Sequence, residues 1–470
     1  MKKRILALLL TVAVLISSVA FIGCTDDVGD IGYTEYNGEN DAVVDVDNGE
    51  NELVIEEEAD TSDMLEIPEY ITIRGRRIRT TETAVHLNYE QLTDADIEPL
   101  RYMIWLERLN IWGPDGVPNL FTNLNPLSGM KNLSALSIGA GQVSDISAVS
   151  ELTNLIDVNI WNNQVDDITP LAELTNLREL GLSFNNISDI SPLAGLINLE
   201  QLFLPDNQIR DITPLAGLTN LTWLMIWGNE ITDISSLGDL TELRGLGLHG
   251  NQIRYIDALA ELTNLTELIL SANQIQDISS LARLTNLTIL EMWENQISDV
   301  SPLAAMTNLE RLHLYGNQIS DISALAELTN LEWLSLRNNQ ISDISVLEGM
   351  TNLTELFLLE NSISDIAPLS NLTDLTMLDL GRNQITDISS LAGLTNLDRL
   401  NLFNNQISDV NPLESLTNLT WLSLRQNQVS DVSVLSRMTN LETLWLVDNP
   451  LSIQQIRELR EALPNTVVEY

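Results

Sequence analysis

Apolar residues recur along most of this chain with a period of 22 residues. In the unit 331–352, leucine, isoleucine or methionine occupies positions 331, 334, 336, 341, 344, 347 and 350. An asparagine stands three residues after the third apolar position in most units, at Asn163, Asn185, Asn207, Asn229, Asn251, Asn273, Asn295, Asn317, Asn339, Asn361, Asn383, Asn405, Asn427 and Asn449. This period indicates stacked repeats that share one core, because a single unit cannot bury its own apolar face.

Each part of the unit predicts a local structure. The Leu334-x-Leu336 pair is typical of a short strand whose alternate side chains point inward and outward. The repeated asparagine both donates and accepts hydrogen bonds, so it is expected to satisfy the backbone of a sharp turn in a buried ladder. A serine or threonine further along, often followed by proline as in Thr169-Pro170, predicts a capped helix start. Little chain remains before the next strand, so only short 3₁₀ or single-turn segments are expected there.

Together these features predict an α/β repeat solenoid. It would be a curved horseshoe with a parallel sheet on its concave side and short 3₁₀ or helical segments on its convex side. The regular repeats run over 106–451, although the unit that begins at Leu106 reaches Asn119 only after an insertion around Gly113.

Both open ends of such a solenoid need covers. Residues 71–105 are expected to form an N-terminal cap and a divergent first repeat, with Ala84, Leu87 and Tyr89 in place of the strand leucines. Residues 452–470 are expected to form a helix-strand cap. It would start at the capping box Ser452-x-x-Gln455, present the apolar stripe Ile453, Ile456, Leu459 and Leu463, and close with Val467-Val468.

The frame L-x-x-L-x-L-x-x-N-x-I-x-D-I-x-x-L-x-x-L-x-x resembles the leucine-rich repeats of bacterial internalins. The resemblance extends from the divergent first unit to the last repeat. It implies the curved leucine-rich-repeat horseshoe and a role in binding a protein. The chain differs from the best-known internalins in that an N-terminal lipid is expected as its anchor, with no C-terminal sorting signal and no immunoglobulin-like domain. The resemblance therefore implies the fold and not a particular receptor.

The first residues carry the pattern of an export signal. Lys2, Lys3 and Arg4 precede an uncharged run, Ile5 to Ile22, which ends at Gly23-Cys24. This resembles a bacterial lipoprotein signal, which is cleaved before a cysteine that then carries diacylglycerol. We therefore expect a signal peptide over 1–23, lipidation of Cys24, and an extracytoplasmic protein anchored to the bacterial cell membrane. The alternative is an uncleaved anchor, because this run of 18 residues is just long enough to span a bilayer.

Charge sets the next segment apart. Residues 24–70 contain 17 Asp and Glu residues and no Lys or Arg, so we expect an acidic disordered tether. An acidic motif read by a basic partner is the alternative. The whole chain carries a formal net charge of −44, which disfavours nucleic acid as a partner. Cys24 is the only cysteine, which excludes an intrachain disulfide.

No catalytic motif is recognisable, so we expect neither an enzyme nor a cofactor. His86, His249 and His313 lie far apart in repeat number, which disfavours a shared metal site. One carboxylate per unit forms a ladder at Asp145, Asp167, Asp189, Asp211 and Asp233, and then every 22 residues from Asp277 to Asp431. Neighbouring carboxylates could share calcium, but bonds to the turn amides of their own units are the favoured interpretation.

Aromatic residues concentrate at positions that the apolar frame leaves free. If the first leucine of each unit is position 1, these are positions 3, 5, 7 and 8, expected on the concave face or its rim. They hold 13 of the 15 aromatic residues between Leu106 and Asn449: Trp112, Trp161, Phe184, Phe203, Trp223, Trp227, Trp293, Tyr315, Trp333, Phe357, Phe403, Trp421 and Trp445. Five arginines are expected on the same face: Arg311, Arg337, Arg382, Arg399 and Arg425.

Exposed tryptophan, tyrosine and arginine are typical anchors of protein interfaces. Packing between strands is the simpler explanation of aromatic residues on a sheet, but it does not require tryptophan. We therefore predict an extracellular recognition protein that holds a protein ligand on its concave face. The alternative is a carbohydrate-binding surface lipoprotein, for which Trp161 beside Asp157 and Asn159 is the local candidate.

Overall fold

The computed structural model describes residues 66–89, 91–113 and 117–470, which belong to one compact unit. The predicted signal peptide, Cys24 and the tether up to residue 65 lie outside the described residues. The strands are β1 Tyr70–Ile73, β2 Arg76–Arg79, β3 Ala84–Asn88, β4 Arg108–Trp112, β5 Ala135–Gly139, β6 Asp157–Trp161, β7 Glu179–Gly181, β8 Gln201–Phe203, β9 Trp223–Met225, β10 Gly245–Gly247, β11 Glu267–Ile269, β12 Ile289–Glu291, β13 Arg311–His313, β14 Trp333–Ser335, β15 Glu355–Phe357, β16 Met377–Asp379, β17 Arg399–Asn401, β18 Trp421–Ser423, β19 Thr443–Trp445 and β20 Val467–Glu469.

Strands β3 to β20 form one parallel sheet of 18 strands, as the repeat pattern predicts. Each strand pairs in register with the next strand along the chain, for example Leu312 of β13 with Leu334 of β14. No register joins β20 back to β3 among the described residues, so the sheet is an open arc with two edges and not a closed barrel. The predicted solenoid is confirmed.

The core lies between this sheet and the convex side. The frame leucines and isoleucines of every unit are buried, as are Leu290, Ile297 and Val300 in one unit. Burial of each such side chain stabilises the fold by roughly 1.5–3 kcal/mol. Because the same positions recur in every unit, the apolar layers of neighbouring units form one continuous core.

The repeated asparagine forms the predicted buried ladder. In Asn295, Nδ2 donates to the carbonyl oxygens of Leu270 at 3.0 Å, Met292 at 3.2 Å and Trp293 at 3.4 Å. Its Oδ1 accepts from the backbone N–H of Ile275 at 3.0 Å. One side chain therefore satisfies turn groups in its own unit and in the unit before. The prediction of a buried asparagine ladder is confirmed.

The convex side consists of short 3₁₀ segments, as predicted. They are Glu98–Tyr102, Asn125–Leu127, Ser147–Val149, Thr169–Leu171, Ser191–Gly195, Thr213–Gly217, Ser235–Leu237, Asp257–Glu261, Ser279–Arg283, Ser301–Leu303, Ser323–Leu325, Ser345–Gly349, Ala367–Asn371, Ser389–Gly393, Asn411–Ser415 and Ser433–Arg437. The part of the chain that the structure describes has two α-helices, α1 Asp94–Ile97 and α2 Ile453–Ala462.

The capping group of these segments differs from the prediction. Ser191 is the first residue of its 3₁₀ segment, and its side chain does not cap the segment. Instead, Asp189 Oδ1 accepts a hydrogen bond from the Ser191 N–H at 2.8 Å. The predicted serine or threonine cap is therefore wrong, because the segment begins one residue earlier than expected, at the serine itself, and the aspartate two residues back accepts from the N–H of that serine.

A second asparagine ladder, which the repeat pattern did not predict, joins neighbouring units just before each strand. Asn176 Nδ2 donates to the carbonyl oxygen of Thr153 at 2.9 Å, and Asn308 Nδ2 donates to that of Thr285 at 2.9 Å. The same bond recurs from Asn132 to Asn440 in most units. These exposed amides therefore have a structural role in the solenoid.

The N-terminal end is covered by the antiparallel β1–β2 hairpin, which buries Ile71, Ile73 and Ile78. In the divergent first repeat, Val85 and Leu87 are the buried strand residues. Of the expected set, Leu87 does face inward, whereas Ala84 is exposed and Tyr89 is half-buried just after the strand, so the expectation is wrong at these two positions. Ala84 pairs with Arg108, an outward-facing position, which shifts the inward positions of this repeat by two residues.

The C-terminal end is covered by α2 and β20. The predicted capping box is present, because Ser452 Oγ accepts from the Gln455 N–H and Gln455 Oε1 accepts from the Ser452 N–H. The predicted apolar stripe is correct except for Ile453, which is 74% exposed. Val468 of β20 is buried. Neither α-helix of the described residues has the length and apolar character needed to span a bilayer.

Candidate functional site on the concave sheet

The concave face is defined here as the surface formed by positions 3, 5 and 7 of the units that contain β4 to β19. Positions 4 and 6 hold the inward leucines, so the alternate side chains point away from the core. From β7 to β19 each strand covers only positions 3 to 5, and positions 7 and 8 follow it. Position 8 was expected on the concave face or its rim. It lies instead in a turn, with a positive φ of 56° at Phe184 and 48° at Asn338.

Seven rings form a continuous row across this face, called the aromatic row below. The row runs Phe184, Trp227, His249, Trp293, His313, Trp333, Phe357, with ring centroids 5.9, 4.8, 6.4, 6.1, 5.0 and 5.3 Å apart in that order. Tyr315 extends it sideways, 6.4 Å from His313. The row contains four of the residues predicted for the ligand site, Trp227, Trp293, Trp333 and Phe357, and a fifth, Tyr315, adjoins it.

Two members of the row, His249 and His313, were not among the site residues predicted from the sequence. They occupy positions 7 and 5 of their units, the same positions as the aromatic residues, and this spacing was the available signal. Burial lowers the pKa of His249 to about 4. Burial, together with the nearby Arg311 and Arg337, lowers the pKa of His313 to about 3. Both rings are therefore neutral at pH 7 and pack as aromatic groups.

The expectation that all these aromatic residues are exposed is wrong at two positions. Trp227 is 3% exposed and Phe357 is 8% exposed. Trp227 stacks on His249 and meets the edge of Phe184, and Phe357 lies under Arg337 and against Trp333. Trp293, Tyr315 and Trp333 are half-buried. The surface of the row is therefore formed mainly by these half-buried rings.

Polar groups tie the C-terminal part of the row together. Arg337 Nη2 donates to Asp379 Oδ2 at 2.7 Å, and its guanidinium carbon lies 4.5 Å from the Phe357 ring centroid. Trp333 Nε1 donates to Glu355 Oε2 at 3.0 Å. Arg337, predicted as a ligand-binding residue, is thus held by an ion pair across Phe357.

A second aromatic group lies near the C-terminal end of the face. Trp421 and Trp445 pack edge to face with centroids 5.0 Å apart. The Arg425 guanidinium lies 5.6 Å from the Phe403 ring and 5.8 Å from the Trp445 ring. The structure therefore separates this C-terminal group from the aromatic row.

Two tryptophans in the N-terminal half lie across glycines of neighbouring strands. Ring atoms of Trp161 fill the space that a side chain at Gly139 would need. Three ring atoms of Trp223 lie 2.6 Å from the point that a Cβ at Gly245 would occupy. Both tryptophans are half-buried. Phe203, a further predicted site residue, is half-buried at position 5 of β8. Any larger residue at either glycine would displace the tryptophan.

Carboxylates surround these tryptophans on the concave face. Asp157 of β6 and Glu179 of β7 are paired residues of neighbouring strands. Burial and the nearby Asp157 raise the pKa of Glu179 to about 7. Burial raises the pKa of Asp157, although Arg108 opposes this change. Burial and Glu291 likewise raise the pKa of Glu267 on β11.

The aspartate ladder lies away from the concave face and bonds locally. Each of its carboxylates accepts from the backbone N–H two residues later, as in Asp277 to Ser279 and Asp321 to Ser323, both at 2.8 Å. These bonds lower the pKa of both aspartates. The favoured interpretation, bonds within each unit, is confirmed. Residues 66–89, 91–113 and 117–470 contain no group of three or more His, Cys, Asp or Glu side chains arranged to hold a metal ion.

The parallel sheet, the asparagine ladder and the 3₁₀ convex side define a leucine-rich-repeat solenoid. A family model described as leucine-rich repeats in two copies matches residues 175–217, 219–261, 241–283, 263–305, 285–327, 329–371, 373–415 and 417–461. The chain belongs to the leucine-rich-repeat family.

Among solved structures, the chain is similar to an internalin, InlF, from Listeria monocytogenes. The two are 39% identical with a TM-score of 0.61, over 63% of this chain and 87% of that chain. A leucine-rich-repeat protein of Leptospira interrogans shares the fold at 24% identity and a TM-score of 0.68, over 83% of this chain and 96% of that chain. No curated protein sequence matches the chain. The chain thus resembles bacterial internalins, and proteins with this fold are typically non-catalytic.

Proposed function

We propose that this protein is an extracellular recognition protein that holds a protein ligand on its concave face. The observation that carries the proposal is the aromatic row. Its successive ring centroids are at most 6.4 Å apart, although the units of β8 and β11 contribute no ring to it, and Trp293, Tyr315 and Trp333 are half-buried. Rigid rings at the centre of a concave surface are where interface energy usually concentrates.

The relatives support the general class of function. Leucine-rich-repeat proteins typically bind proteins. A plant receptor kinase ectodomain with this fold, 24% identical, is described in complex with Casparian strip integrity factor 2. Another plant receptor with this fold, 19% identical, is described in complex with the peptide hormone IDA. Those ligands belong to those receptors. What supports the proposal here is that a repeat surface of this kind can hold a protein or peptide.

The proposal includes the expected location. A lipid on Cys24 would anchor the chain to the outer side of the bacterial cell membrane, and the acidic segment 24–70 would act as a spacer. The sequence pattern before Cys24 supports this anchor. The similarity to a bacterial internalin supports a surface or secreted protein.

Trp293→Ala tests the concave site. In a crosslinking pulldown of bacterial-surface partners, the full-length variant should capture at most about one tenth of the protein ligand that the native chain captures. The reason is that a hot-spot residue contributes about 2 kcal/mol or more to binding. The substitution should change the free energy of unfolding little, because Trp293 lies on the concave face outside the core. Its aromatic contacts are the rings of His249 and His313.

The control for this experiment is Leu290→Ala, which removes a fully buried side chain and should destabilise the fold by about 2–5 kcal/mol. Chemical denaturation measures both variants. If Trp293→Ala unfolds as easily as Leu290→Ala, the tryptophan is a packing residue and the proposed site is wrong.

Carbohydrate binding is the second candidate, and the N-terminal half of the concave face favours it locally. Trp161 lies across Gly139, and Asp157 and Asn159 precede it on the same strand. A flat ring beside polar groups suits a sugar. Binding of the full-length chain to a glycan array, lost in Trp161→Ala and kept in Trp293→Ala, would favour this alternative.

A further inference from the structure

Positive charge is confined to one side of the solenoid between Arg283 and Arg437. These two arginines end convex 3₁₀ segments. All Lys and Arg residues between them stand at positions 3, 7 or 8, on the concave face or in the turn at its rim: Arg311, Arg337, Arg382, Arg399 and Arg425. The same stretch holds 19 Asp and Glu residues, of which 14 stand at positions other than 3, 5, 7 and 8. The rest of the surface of these repeats is therefore acidic, and only the concave side carries cations.

The C-terminal part of this side is locally positive. The arginine patch is defined here as positions 3, 5, 7 and 8 between residues 381 and 447, which include no Asp or Glu. Its cations are Arg382, Arg399 and Arg425. Arg382 meets Glu360 at 3.4 Å and Arg399 meets Asp398 at 3.7 Å, and both acids lie outside the patch. These distances exceed the roughly 2.7–2.9 Å of a strong charge-assisted hydrogen bond, so both guanidinium groups can take a better acceptor.

Two buried hydrogen-bond donors without an acceptor lie in the same patch. Ser423 of β18 is 1% exposed, and Trp445 of β19 is its register partner at position 5. Neither Ser423 Oγ nor Trp445 Nε1 has a hydrogen-bond partner among the described residues. Arg425 follows Ser423 by two residues on the same face, and its guanidinium carbon lies 5.8 Å from the Trp445 ring centroid. Because a buried donor without an acceptor is costly, this strip favours a ligand that supplies acceptor oxygens.

The spacing of the cations suits an extended segment and not one small anion. Arg382 and Arg425 stand two units apart, roughly 10 Å at about 4.8 Å per strand. Arg399 stands at position 3 and Arg425 at position 7 of the next unit, roughly 13 Å apart along the strand direction at about 3.3 Å per residue. No single carboxylate can reach all three groups. Acidic residues four apart in an extended chain are separated by the same roughly 13 Å.

The aromatic rings of the patch favour a polypeptide over a sugar. The guanidinium carbons of Arg382 and Arg425 lie 5.5 and 5.6 Å from the Phe403 ring centroid. Trp421 and Trp445 meet edge to face, with an interplanar angle of 74°. A sugar stacks on an open, flat ring face, whereas these rings pack against guanidinium groups and against each other. Clusters of arginine are a recurring way in which proteins recognise acidic motifs of other proteins.

We propose that the arginine patch is a docking site for an extended segment of the protein partner that carries several Asp or Glu residues. One carboxylate accepts from the Arg425 guanidinium, and movement of this long side chain brings the carboxylate oxygens to Ser423 Oγ and Trp445 Nε1. A second carboxylate, four residues along the segment, meets Arg399. This inference rests on the proposed function, because it names the chemistry of a protein ligand that the concave face would hold.

The acidic surroundings restrict where such a segment can bind. The formal charge of −44 repels an acidic partner at long range. At physiological ionic strength the Debye length is about 8 Å, so arginines in direct contact with the segment outweigh carboxylates on the other surfaces of the repeats. Anywhere else on these repeats the segment meets an excess of carboxylates. Repulsion therefore contributes to specificity, and the patch contributes the affinity.

The experiment measures binding of the full-length chain to a fluorescent peptide of alternating glutamate and glycine, by fluorescence anisotropy at physiological ionic strength. The matched peptide replaces each glutamate with glutamine, which keeps the shape and removes the charge. The glutamate peptide should bind at least about tenfold more tightly, equivalent to about 1.4 kcal/mol.

Substitutions in the patch identify the groups that hold the peptide. Arg425→Gln and Arg399→Gln should each weaken binding of the glutamate peptide about tenfold, because each removes a charge-assisted bond. Trp445→Phe keeps an aromatic ring, removes the Nε1 donor and should weaken binding about threefold. Unfolding midpoints in denaturant establish that each variant is folded. Because the Arg399 side chain is 36% exposed, Arg399→Gln still tests the site if Arg425→Gln does not fold.

The matched control is Arg437→Gln, which removes the same charge from a convex side chain that is 72% exposed. It should change the affinity by less than about twofold, because exposed charges interact weakly. Equal affinity for the two peptides, absence of binding by both, or an equal loss in Arg437→Gln and Arg399→Gln would overturn the proposal. Tighter binding of a neutral or sulfated oligosaccharide than of the glutamate peptide, dependent on Arg425, would overturn it as well.

Failure of this inference differs from failure of the proposed function. If Arg399→Gln and Arg425→Gln leave the peptide affinity unchanged while Trp293→Ala still loses the surface-protein ligand, the arginine site is wrong and the concave recognition site stands. If Trp293→Ala has no effect while the glutamate peptide depends on Arg399 and Arg425, the arginine site stands without the aromatic row as the ligand surface.

Discussion

The residue at position 8 of each unit has the backbone conformation that turns the chain after the strand. Position 8 has positive φ in unit after unit, with 51° at Asn162, 49° at Asp206 and 64° at Gly228. Glycine, asparagine and aspartate tolerate this conformation better than other residues, which explains their frequency there. Phe184 and Arg382 adopt it as well, at φ 56° and 48°. Phe184 contacts Trp227 from this turn, so the turn determines where the aromatic row begins.

We expect the ionised carboxylate of Glu179 to destabilise the ligand-free protein at neutral and higher pH. Its pKa is raised from 4.5 to about 7, so the folded state holds the proton more tightly than the unfolded state does. The contribution of the Glu179 carboxyl to the free energy of unfolding is therefore fully present below about pH 4.5. It is lost as the pH rises through 7 and the carboxyl loses its proton. Because the carboxyl is only partly buried, we expect Glu179→Gln to stabilise the protein by about 1–2 kcal/mol at pH 8 and hardly at all at pH 4.

Chemical denaturation at the two pH values measures this effect. The matched control is Glu355→Gln, a carboxylate at the same position of β15 that accepts a bond from Trp333 Nε1 at 3.0 Å. Removing its charge weakens an existing bond and should not stabilise the fold. A gain of equal size in both variants would show that the effect comes from net charge and not from burial of Glu179.

At the scale of one repeat, side-chain amides hold the units together. Asn295 satisfies three carbonyl groups and one N–H across its own unit and the unit before. Asn308, in the exposed ladder, adds one more bond to the preceding unit. The aspartate ladder completes each unit by satisfying the first free N–H of its 3₁₀ segment. Local polar groups therefore set the shape of the repeat, and apolar stacking stabilises it.

Asn295→Leu should destabilise the protein by about 1–3 kcal/mol, because the buried turn groups lose their partners. Gln296→Leu is the matched control: it removes an amide from the next residue, which is exposed, and should cost little. Unfolding midpoints in denaturant compare the two variants. Similar midpoints would contradict the structural role of the buried ladder.

At the scale of the whole chain, we propose that the solenoid unit carries the recognition surface, and the residues before it are expected to carry the anchor. The apolar run before Cys24 supports lipidation, since this single cysteine stands where a lipoprotein signal ends. Cys24→Ala should therefore abolish incorporation of a clickable fatty acid and leave an unprocessed precursor of higher mass. Metabolic labelling followed by gel analysis measures both.

The control for this prediction is Ser17→Ala, a small change inside the apolar run that keeps the cysteine. It should label as strongly as the native chain. If Cys24→Ala still incorporates the fatty acid, the anchor is not on this cysteine and the membrane attachment must be explained otherwise.

The repeat frame predicted the architecture of residues 106–451 because each position has one physical task in every unit. Apolar residues at positions 1, 4 and 6 recur in every unit, which indicates a core shared between units. The asparagine that follows them can form hydrogen bonds with the backbone groups of the turn. The ends were harder to predict. Val85 could not be identified as an inward residue of the first repeat, because a divergent unit has no neighbour of the same pattern to set its register.

The concave site was predicted only by position. Residues that share positions 3, 5 and 7 had to lie on one face, which followed from the alternation of side chains along a strand. Burial and contact between them depended on which residues stand one or two units away. His313 joins Trp293 to Trp333, and Arg337 reaches Asp379 across an intervening strand.

The sequence alone therefore determined the period, the core positions, the parallel sheet and the face on which the aromatic residues lie, because these depend on local spacing. Only the tertiary structure decided which rings are covered, which carboxylates have partners and which do not. Trp227 is buried and Glu179 is left without a cation because strands of different units pack side by side, and the identity of each neighbour is a property of the stack and not of the repeat.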